Sequence, residues 1–221
     1  MRLCKGRRAR SADDKELRRE SLLAAARTML ERQGVDAFTM AALAQSAGVA
    51  KGTAYIYFPT REALFLDILI EELEQGFTRI VDRLQTAHGV GAEAAATVIG
   101  EALAAPPLLL ALLRRLHGEI ERNIPEAKLV QFKTFLLQRL TVAGGALEAA
   151  TGLARGAGVV VFLRAHALAV GLAEMTNASA EMEAVFRAHS DLGVLALNFE
   201  REFAAAVADQ IRALMQASKR L

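Results

Sequence analysis

Residues 39–58, TMAALAQSAGVAKGTAYIYF, have the pattern of two short helices joined by a tight turn. The hydroxyl of Thr39 can accept a hydrogen bond from an unpaired N–H group in the first turn of a helix. Gly48 follows this helix, and glycine adopts the left-handed backbone angles of a sharp turn at little steric cost. The second helix, residues 50–58, is predicted to end before Pro59, because proline disfavours helical angles in the residue that precedes it.

A helix, a short turn with glycine and a second helix form the helix-turn-helix, whose second member enters the major groove of DNA. Lys51 and Thr53 lie at the N-terminal end of that second helix and are candidates for contacts with base edges, since lysine can donate to guanine and threonine can use its hydroxyl or methyl group. Gly52 suits a position where the backbone lies close to DNA. Ile56, if it faces the groove, can make only apolar contacts, for example with a thymine methyl group.

The stretch GVAKGTAYIYFPTREAL, residues 48–64, resembles the signature of the TetR family of bacterial transcription regulators, G-V-S-K-G-T-x-Y-x-Y/H-F-x-S/T-K-x-x-L. The resemblance extends back over the preceding helix and covers roughly residues 15 to 70. Two positions depart from the signature. Ala50 stands where a serine often caps the recognition helix, and Ala54 stands where a larger apolar residue is usual. Both departures predict a slightly less stable recognition helix.

The resemblance implies further contacts with the DNA backbone. The hydroxyl groups of Tyr55 and Tyr57 are expected to bind phosphates, and a core position is the alternative for each. Arg61 lies in the first turn of the next helix, where a cation opposes the helix dipole. The resemblance implies that a basic residue at this position binds a phosphate. Thr39 is expected to bind another, through its hydroxyl and nearby backbone N–H groups.

The charge of the chain is unevenly distributed. Residues 1–60 carry 11 Lys and Arg against 6 Asp and Glu, so 11 − 6 = +5, whereas residues 61–221 carry 16 against 19, so 16 − 19 = −3. This asymmetry suits a protein that binds nucleic acid with one side only. Residues 1–10, MRLCKGRRAR, are predicted to form a basic flexible arm that follows phosphates or enters the minor groove, with a solubilising tail as the alternative.

Helical periodicity and the lack of strand-like runs of β-branched residues predict an all-α protein of about nine helices. Residues 11–59 are predicted to form a three-helix DNA-binding domain, and the resemblance implies that residues 60–221 form a helical effector-binding and dimerisation domain. The resemblance also implies that the last two helices, at about residues 154–176 and 192–217, pair with their mates in a homodimer. The first is apolar on nearly all sides and the second has a long apolar seam, which suits this pairing. The first of them contains Arg164, a charge that would be costly at the centre of a membrane, so no membrane association is expected.

A pocket for a small-molecule effector is an expectation from the resemblance, and its apolar lining would favour an apolar or aromatic ligand. Five apolar and three polar residues are candidates for its walls: Leu103, Leu109, Phe132, Phe135, Phe162, His117, Asn123 and His166. Each of these residues is also typical of an ordinary core or interface position, which is the alternative for every one of them.

Catalytic and metal-binding patterns are missing from the sequence. No nucleophile elbow, phosphate loop or supported carboxylate pair occurs. His117 and Glu121 lie four residues apart on one helical face, but no third metal ligand accompanies them, so an ordinary polar pair is predicted. The single cysteine, Cys4, excludes an internal disulfide and fits a reducing cytosol. We therefore expect no enzyme activity, no cofactor and no metal.

Together these features predict a cytoplasmic, nucleoid-associated transcription regulator. It would be a homodimeric repressor that binds a near-palindromic operator in double-stranded DNA and responds to a small molecule. Two alternatives remain open at this point: a hydrophobic-ligand-binding protein or enzyme in which DNA binding is secondary, and an architectural DNA-binding protein without an effector.

Overall fold

The structure, a computed structural model, describes residues 4–86, 89–103, 107–177 and 179–218, with side chains from residue 14 onward. All regular structure within these ranges is helical, which confirms the predicted all-α fold. The described residues form ten α-helices, a π-helical turn and two 3₁₀ turns, so the predicted number of about nine was slightly low.

Four helices open the chain: α1 (Cys4–Gln33), α2 (Met40–Ser46), α3 (Lys51–Tyr57) and α4 (Arg61–Gln85). They are followed by α5 (Ala92–Leu103), α6 (Pro107–Arg115), the π-helical turn (Leu116–Ile120) and a 3₁₀ turn (Glu121–Asn123). The remaining elements are α7 (Glu126–Thr151), α8 (Ala157–Thr176), α9 (Ala180–Ala188), a second 3₁₀ turn (Ser190–Leu195) and α10 (Phe199–Ser218).

The chain divides into two compact units. The first, here called the head unit, contains residues 1–71 together with residues 115–125, and the second, here called the body unit, contains residues 72–114 and 126–221. The helix α4 therefore contributes residues to both units. The segment 115–125 belongs to the head unit although the residues before and after it belong to the body unit.

The head unit is built around a small aromatic core. The rings of Phe38, just before α2, and Phe65, in α4, are buried and meet edge to face with centroids 5.3 Å apart. Two ion pairs join α1 to α4: Arg19 donates to Asp67 at 2.7 Å, and Arg27 donates to a glutamate further along α4 at 2.7 Å. Phe58, predicted to be buried, is fully buried and lies beneath the guanidinium of Arg19.

The body unit contains an unusually close helix crossing. Within it, α5 packs against α10, and α8 packs against both α7 and α10. Gly158 of α8 lies so close to Gly144 of α7 that a Cβ at residue 158 would be 2.7 Å from the Gly144 Cα. Glu148 of α7 accepts hydrogen bonds from the N–H groups of Gly156 (2.8 Å) and Gly158 (2.9 Å). Its carboxylate therefore satisfies two of the donors that the start of α8 leaves unpaired.

Two helix boundaries differ from those predicted. The helix α1 begins at Cys4 instead of residue 11 or 12, so the backbone of residues 4–10 is helical where a flexible arm was predicted. Gly6 is the only weak helix former in that stretch, so the chain has little reason to end the helix there. The last helix begins at Phe199 instead of residue 192, because the Asn198 side chain accepts from the Arg201 N–H at 2.9 Å and caps it.

Among the described residues, α8 is the one unbroken helix long and apolar enough to span a membrane, with a mean hydropathy of 1.6. Composition alone cannot separate such a span from a packed helix. Its faces pack against α7 and α10, and Arg164 and His166 lie near its centre. These contacts favour the packed helix that was predicted for this stretch.

Candidate nucleic-acid interface

The start of α2 is fixed by Thr39. Its backbone is extended (φ −134°, ψ 147°), and its hydroxyl oxygen accepts a hydrogen bond from the Ala42 N–H at 3.1 Å. This is the predicted N-cap, and Thr39 remains exposed. Because a hydroxyl group that accepts one bond can still donate its proton, the side chain remains able to bind a phosphate oxygen.

The turn between α2 and α3 has the geometry that its glycine predicts. Gly48 has a φ of +63°, and its N–H donates to the Gln45 carbonyl at 3.2 Å. The N–H of Val49 donates to the Ala44 carbonyl at 2.9 Å, which completes a Schellman motif. At the other side of the turn, Ala50 occupies the N-cap position of α3 and forms no side-chain cap bond. The helix-turn-helix is therefore formed, with the uncapped second helix that the departure at residue 50 predicted.

The helix α3 has an inner and an outer face. Ala54 on its inner side is fully buried, as is Phe58 directly after the helix. Ile56 is 71% exposed and Tyr55 is 40% exposed, and the Lys51 ammonium lies 6.0 Å from the Tyr55 ring centroid. The departure position 54 therefore faces the core, as the larger apolar residue usual there would.

The outer face of α3, defined here as Lys51, Gly52, Tyr55 and Ile56, is open to solvent. A Cβ added at Gly52 would meet no atom of the described residues within 4 Å. The fold itself therefore does not require glycine at this position. Thr53 and Tyr57, the other two candidates in the helix, are half-buried at its sides.

The electrostatics of this region favour a polyanion. The chain contains no Asp or Glu between residues 37 and 61, a range that includes all of α2 and α3. Lys51 and Arg61 are the two full positive charges within it. A surface with cations and no nearby acidic residue on the same segment attracts phosphate groups.

Arg61, predicted to bind a phosphate, is held by two carboxylates. Thr60 caps α4 by accepting from the Ala63 N–H at 3.0 Å, which places Arg61 in the first turn. The Arg61 Nε donates to Glu62 at 3.2 Å, and its Nη2 donates to Glu119. The guanidinium also lies 5.4 Å from the Phe65 ring centroid.

The segment 115–125 is a part of the head unit that sequence reasoning missed. Glu119 binds Arg61, Arg115 binds Asp36 in the turn after α1, and the Asn123 carbonyl accepts from the Thr60 hydroxyl at 3.4 Å. Arg61 and Glu119 are 58 positions apart, so no local pattern links them. The pairing of an acidic residue with a predicted phosphate ligand is therefore seen only in the structure.

The predicted effector residues fall into both units. His117 and Asn123 belong to the head unit, where the His117 Nδ1 lies 3.2 Å from Glu121 and Asn123 donates to the Glu119 carbonyl at 2.8 Å. The predicted polar pair of His117 and Glu121 is thus present, and the described residues contain no cluster of three potential metal ligands. The other six candidates belong to the body unit, four of them buried and two half-buried: Leu103, Leu109, Phe132 and Phe162, then Phe135 and His166.

A groove of about 460 Å³ lies between α4 and α5 in the body unit. Its walls are mostly charged: Arg79, Asp82, Arg83, Val98, Glu101 and Ala102. An ion pair between Arg83 and Glu101 joins the two helices there. None of the predicted effector residues lines this groove.

Curated relatives match about a third of the chain. The HTH-type transcriptional regulator EthR of Mycolicibacterium smegmatis is 35% identical over 85 residues, which are 36% of this chain and 38% of the relative. EthR of Mycobacterium tuberculosis is 37% identical over 75 residues, which are 33% of each chain. The chain thus matches little more than a third of the length of these relatives.

Solved structures match nearly the whole chain at low identity. A transcriptional regulator from Rhodococcus sp. Rha1 has a TM-score of 0.55 at 15% identity and covers 90% of this chain and 96% of its own. The multidrug binding protein EbrR, complexed with imidazole, has a TM-score of 0.52 at 17% identity, covering 88% and 94%. RolR in complex with resorcinol has a TM-score of 0.51 at 18% identity, covering 95% and 97%. These likenesses concern the fold.

Family models match both parts of the chain. The model described as "Bacterial regulatory proteins, tetR family" matches residues 22–68, which include α2, α3 and their turn. The model described as "Tetracyclin repressor-like, C-terminal domain" matches residues 70–217, which is more than half of the sequence. On the strength of these two matches, the chain belongs to the TetR family of bacterial transcription regulators.

Proposed function

We propose that the protein is a ligand-responsive, homodimeric repressor that binds an operator in double-stranded DNA through α3. The observation that carries this proposal is the outer face of α3, where exposed Lys51, Gly52, Tyr55 and Ile56 lie above a fully buried Ala54. Exposed faces are ordinary on surface helices, but this one combines a lysine, a tyrosine, an isoleucine and a glycine in a stretch without Asp or Glu from residue 37 to residue 61. When a helix lies in a major groove, such a face can contact base edges and phosphates.

The side chains of this surface divide into two roles. Lys51 and Thr53, at the N-terminal end of α3, bind base edges, and the exposed Ile56 packs against a thymine methyl group. The phosphate contacts come from Thr39, Tyr55, Tyr57 and Arg61, which fix the position of the helix but carry no sequence information. Mutation distinguishes the two roles. Loss of a base contact changes the sequence specificity of binding, whereas loss of a phosphate contact weakens binding to all DNA alike.

The proposed homodimer rests on the unpaired outer face of α8. Val160, Leu163 and Met175 are exposed on that helix, with Ala167 between them at helical spacing, while its inner face is buried. A second copy of the same face would cover this stripe, as happens in two-fold symmetric dimers. The exposed face of α10 contributes small residues, among them Ala206 and Ala213, which permit close approach of a partner helix.

Two copies of α3 would occupy successive major grooves about 34–36 Å apart, so the operator is expected to be near-palindromic. An effector in the body unit would act by binding the DNA-competent and DNA-incompetent states with different affinity. The buried candidates Leu103, Leu109, Phe132 and Phe162 favour an apolar or aromatic molecule. The ring compounds resorcinol and imidazole bound by two structural neighbours support this class. The proposal places the protein in the cytoplasm, associated with the nucleoid.

Footprinting on the DNA that flanks its own gene tests the proposal. The purified protein should protect a near-palindromic site whose two halves are centred one helical turn apart. A variant with Lys51 and Ile56 both changed to alanine should lose this protection and keep its thermal stability, because both side chains are exposed.

A folded, dimeric protein that protects no flanking fragment at low salt would overturn the proposed function. Protection that survives the double substitution would show that another surface binds the DNA. Titration with aromatic small molecules then tests the effector, which should lower operator affinity without unfolding the protein.

A further inference from the structure

The cation at the start of α4 belongs to a chain of alternating charges within the head unit. Glu62, Arg61, Glu119, Arg115 and Asp36 follow one another, each next to a residue of opposite sign. The Arg115 Nε lies 3.5 Å from the second carboxylate oxygen of Glu119. Glu119 therefore shares its carboxylate between two arginines and stands at the centre of the chain.

Two of the five N–H donors of Arg61 are used in this arrangement. Its Nε donates to Glu62 and its Nη2 to Glu119, so two of the donors on one edge of the guanidinium fork are occupied. A phosphate binds arginine best through the same fork of parallel donors. A carboxylate and a phosphate that need the same donors cannot both have them at full strength.

This ion pair is accessible enough to exchange. The side chain of Arg61 is 37% exposed and that of Glu119 is 30% exposed. Ion pairs at this exposure are weak, typically worth less than a tenfold change in an equilibrium constant. A DNA phosphate, with its neighbours on the duplex, can therefore displace Glu119, but the displacement lowers the net affinity for DNA.

We propose that Glu119 is an internal competitor for Arg61, which occupies the guanidinium in the free protein and is displaced by a phosphate in the DNA complex. This inference rests on the proposed function, since it requires Arg61 to contact DNA. Glu119 is a positioning residue that touches no DNA. It lies on the segment 115–125, whose flanking residues 114 and 126 belong to the body unit.

The substitution Glu119→Gln tests the competition, because it removes the charge and keeps the shape of the side chain. Operator affinity, measured by fluorescence anisotropy at low salt, should rise about two- to fivefold. The dependence of log K on log[salt] should also become steeper, by up to about 0.9. In the wild type, the displaced Glu119 keeps Arg115 as a partner but attracts solution cations more strongly than before, which cancels part of the counterion release that phosphate binding produces.

Three further variants make the test specific. In an Arg61→Ala background, Glu119→Gln should change neither the affinity nor the salt slope, since the competitor has lost its target. Glu31→Gln removes an exposed carboxylate from a different part of the head unit, in α1, and should leave the dependence of log K on log[salt] unchanged. Glu119→Asp keeps the charge on a shorter side chain and should fall between the wild type and Glu119→Gln. Thermal melts confirm that each variant is folded.

The outcomes separate this inference from the function it rests on. A wild-type protein that binds no DNA overturns the proposed function itself. Wild-type binding that Arg61→Ala does not weaken shows that Arg61 is not a phosphate contact and overturns the inference alone. An affinity gain for Glu119→Gln that persists in the Arg61→Ala background also overturns it, because the gain then comes from the loss of a negative charge in general.

Discussion

Two glycines inside helices, Gly158 in α8 and Gly52 in α3, occupy opposite environments. A Cβ at residue 158 would collide with the backbone of Gly144 in the neighbouring helix, whereas a Cβ at residue 52 would meet nothing within 4 Å. Both positions carry the helix penalty of glycine, about 1 kcal/mol relative to alanine. In the body unit that penalty is explained by helix packing. In the head unit nothing inside the protein explains it.

The contrast shows how to tell a structural residue from a functional one without any alignment. A costly residue that the fold requires is accounted for by the chain's own contacts. A costly residue in open space is not accounted for by packing, as Gly52 and Gly145 both show, and it becomes a candidate for binding only where charge and exposure also favour a ligand, as they do at Gly52. For Gly52, on the outer face of a helix without acidic neighbours, we propose that this ligand is the DNA backbone or base edge.

Gly158→Ala should have the largest effect and tests whether packing requires glycine at this crossing. The new methyl group must push α7 and α8 apart, and we expect a loss of about 3 kcal/mol in the free energy of unfolding. Urea denaturation followed by circular dichroism measures it. Gly145→Ala is the matched control, since residue 145 is exposed in α7 and an added Cβ there meets nothing. Equal stability of the two variants would show that the crossing relaxes freely and that the collision is not limiting.

Gly52→Ala should behave in the opposite way. The substitution should leave stability unchanged or raise it by up to about 1 kcal/mol, because alanine is the better helix former. Operator affinity should fall about tenfold, corresponding to about 1.4 kcal/mol, as the methyl group occupies space that the DNA needs. Calorimetry measures the change in stability, and fluorescence anisotropy on the same preparation measures the change in operator affinity. Undiminished affinity would place the DNA away from this part of α3.

Lys51→Ala sharpens the comparison at the neighbouring position. If the ammonium binds a guanine, the substitution should cost about 1–3 kcal/mol on the preferred operator and relax discrimination at one base pair. Affinities for a panel of operators, each with one base pair changed, reveal the position. A uniform loss on every sequence, with a less steep salt dependence, would instead make Lys51 a phosphate contact.

The smallest effect concerns a surface ion pair of the body unit. Arg212 of α10 binds Glu93 of α5, and this hydrogen bond holds the pKa of the Glu93 carboxyl below its usual value of 4.5. A lowered folded-state pKa contributes stability above the unfolded-state pKa, and this contribution is lost as the pH falls through the folded value. Glu93→Gln should therefore lower Tm slightly at neutral pH, and the difference should disappear once the pH has fallen through the folded-state pKa. A Tm difference that persists in acid would show that it arises from packing and not from the charge of Glu93.

Sequence reasoning was most effective where structure is determined locally. The cap at Thr39, the turn at Gly48 and the burial of Phe58 each depend on residues a few positions apart, and the structure confirms them. The family assignment rested on the same short stretch, and the two family models bear it out.

Features that depend on distant residues could not be predicted in this way. The start of the last helix is an exception, because its signal is local: Leu192 and Leu195 continue the apolar spacing, but Asn198 caps the helix through the Arg201 N–H, so it begins at Phe199, seven residues later than predicted. The pairing of Arg61 with Glu119 depends on the tertiary fold. Likewise, His117 and Asn123 lie next to an apolar helix face in the sequence, yet they belong to the head unit.

The membership of residues 115–125 has a practical consequence for hybrid regulators. The chain passes between the two units three times, after residues 71, 114 and 125. A chimera that joins the first 71 residues of this protein to the body of a relative would therefore carry a head without its own Glu119 and Arg115. Transplanting residues 115–125 together with the head keeps those partners, so the natural exchange unit for altering operator choice is discontinuous in sequence.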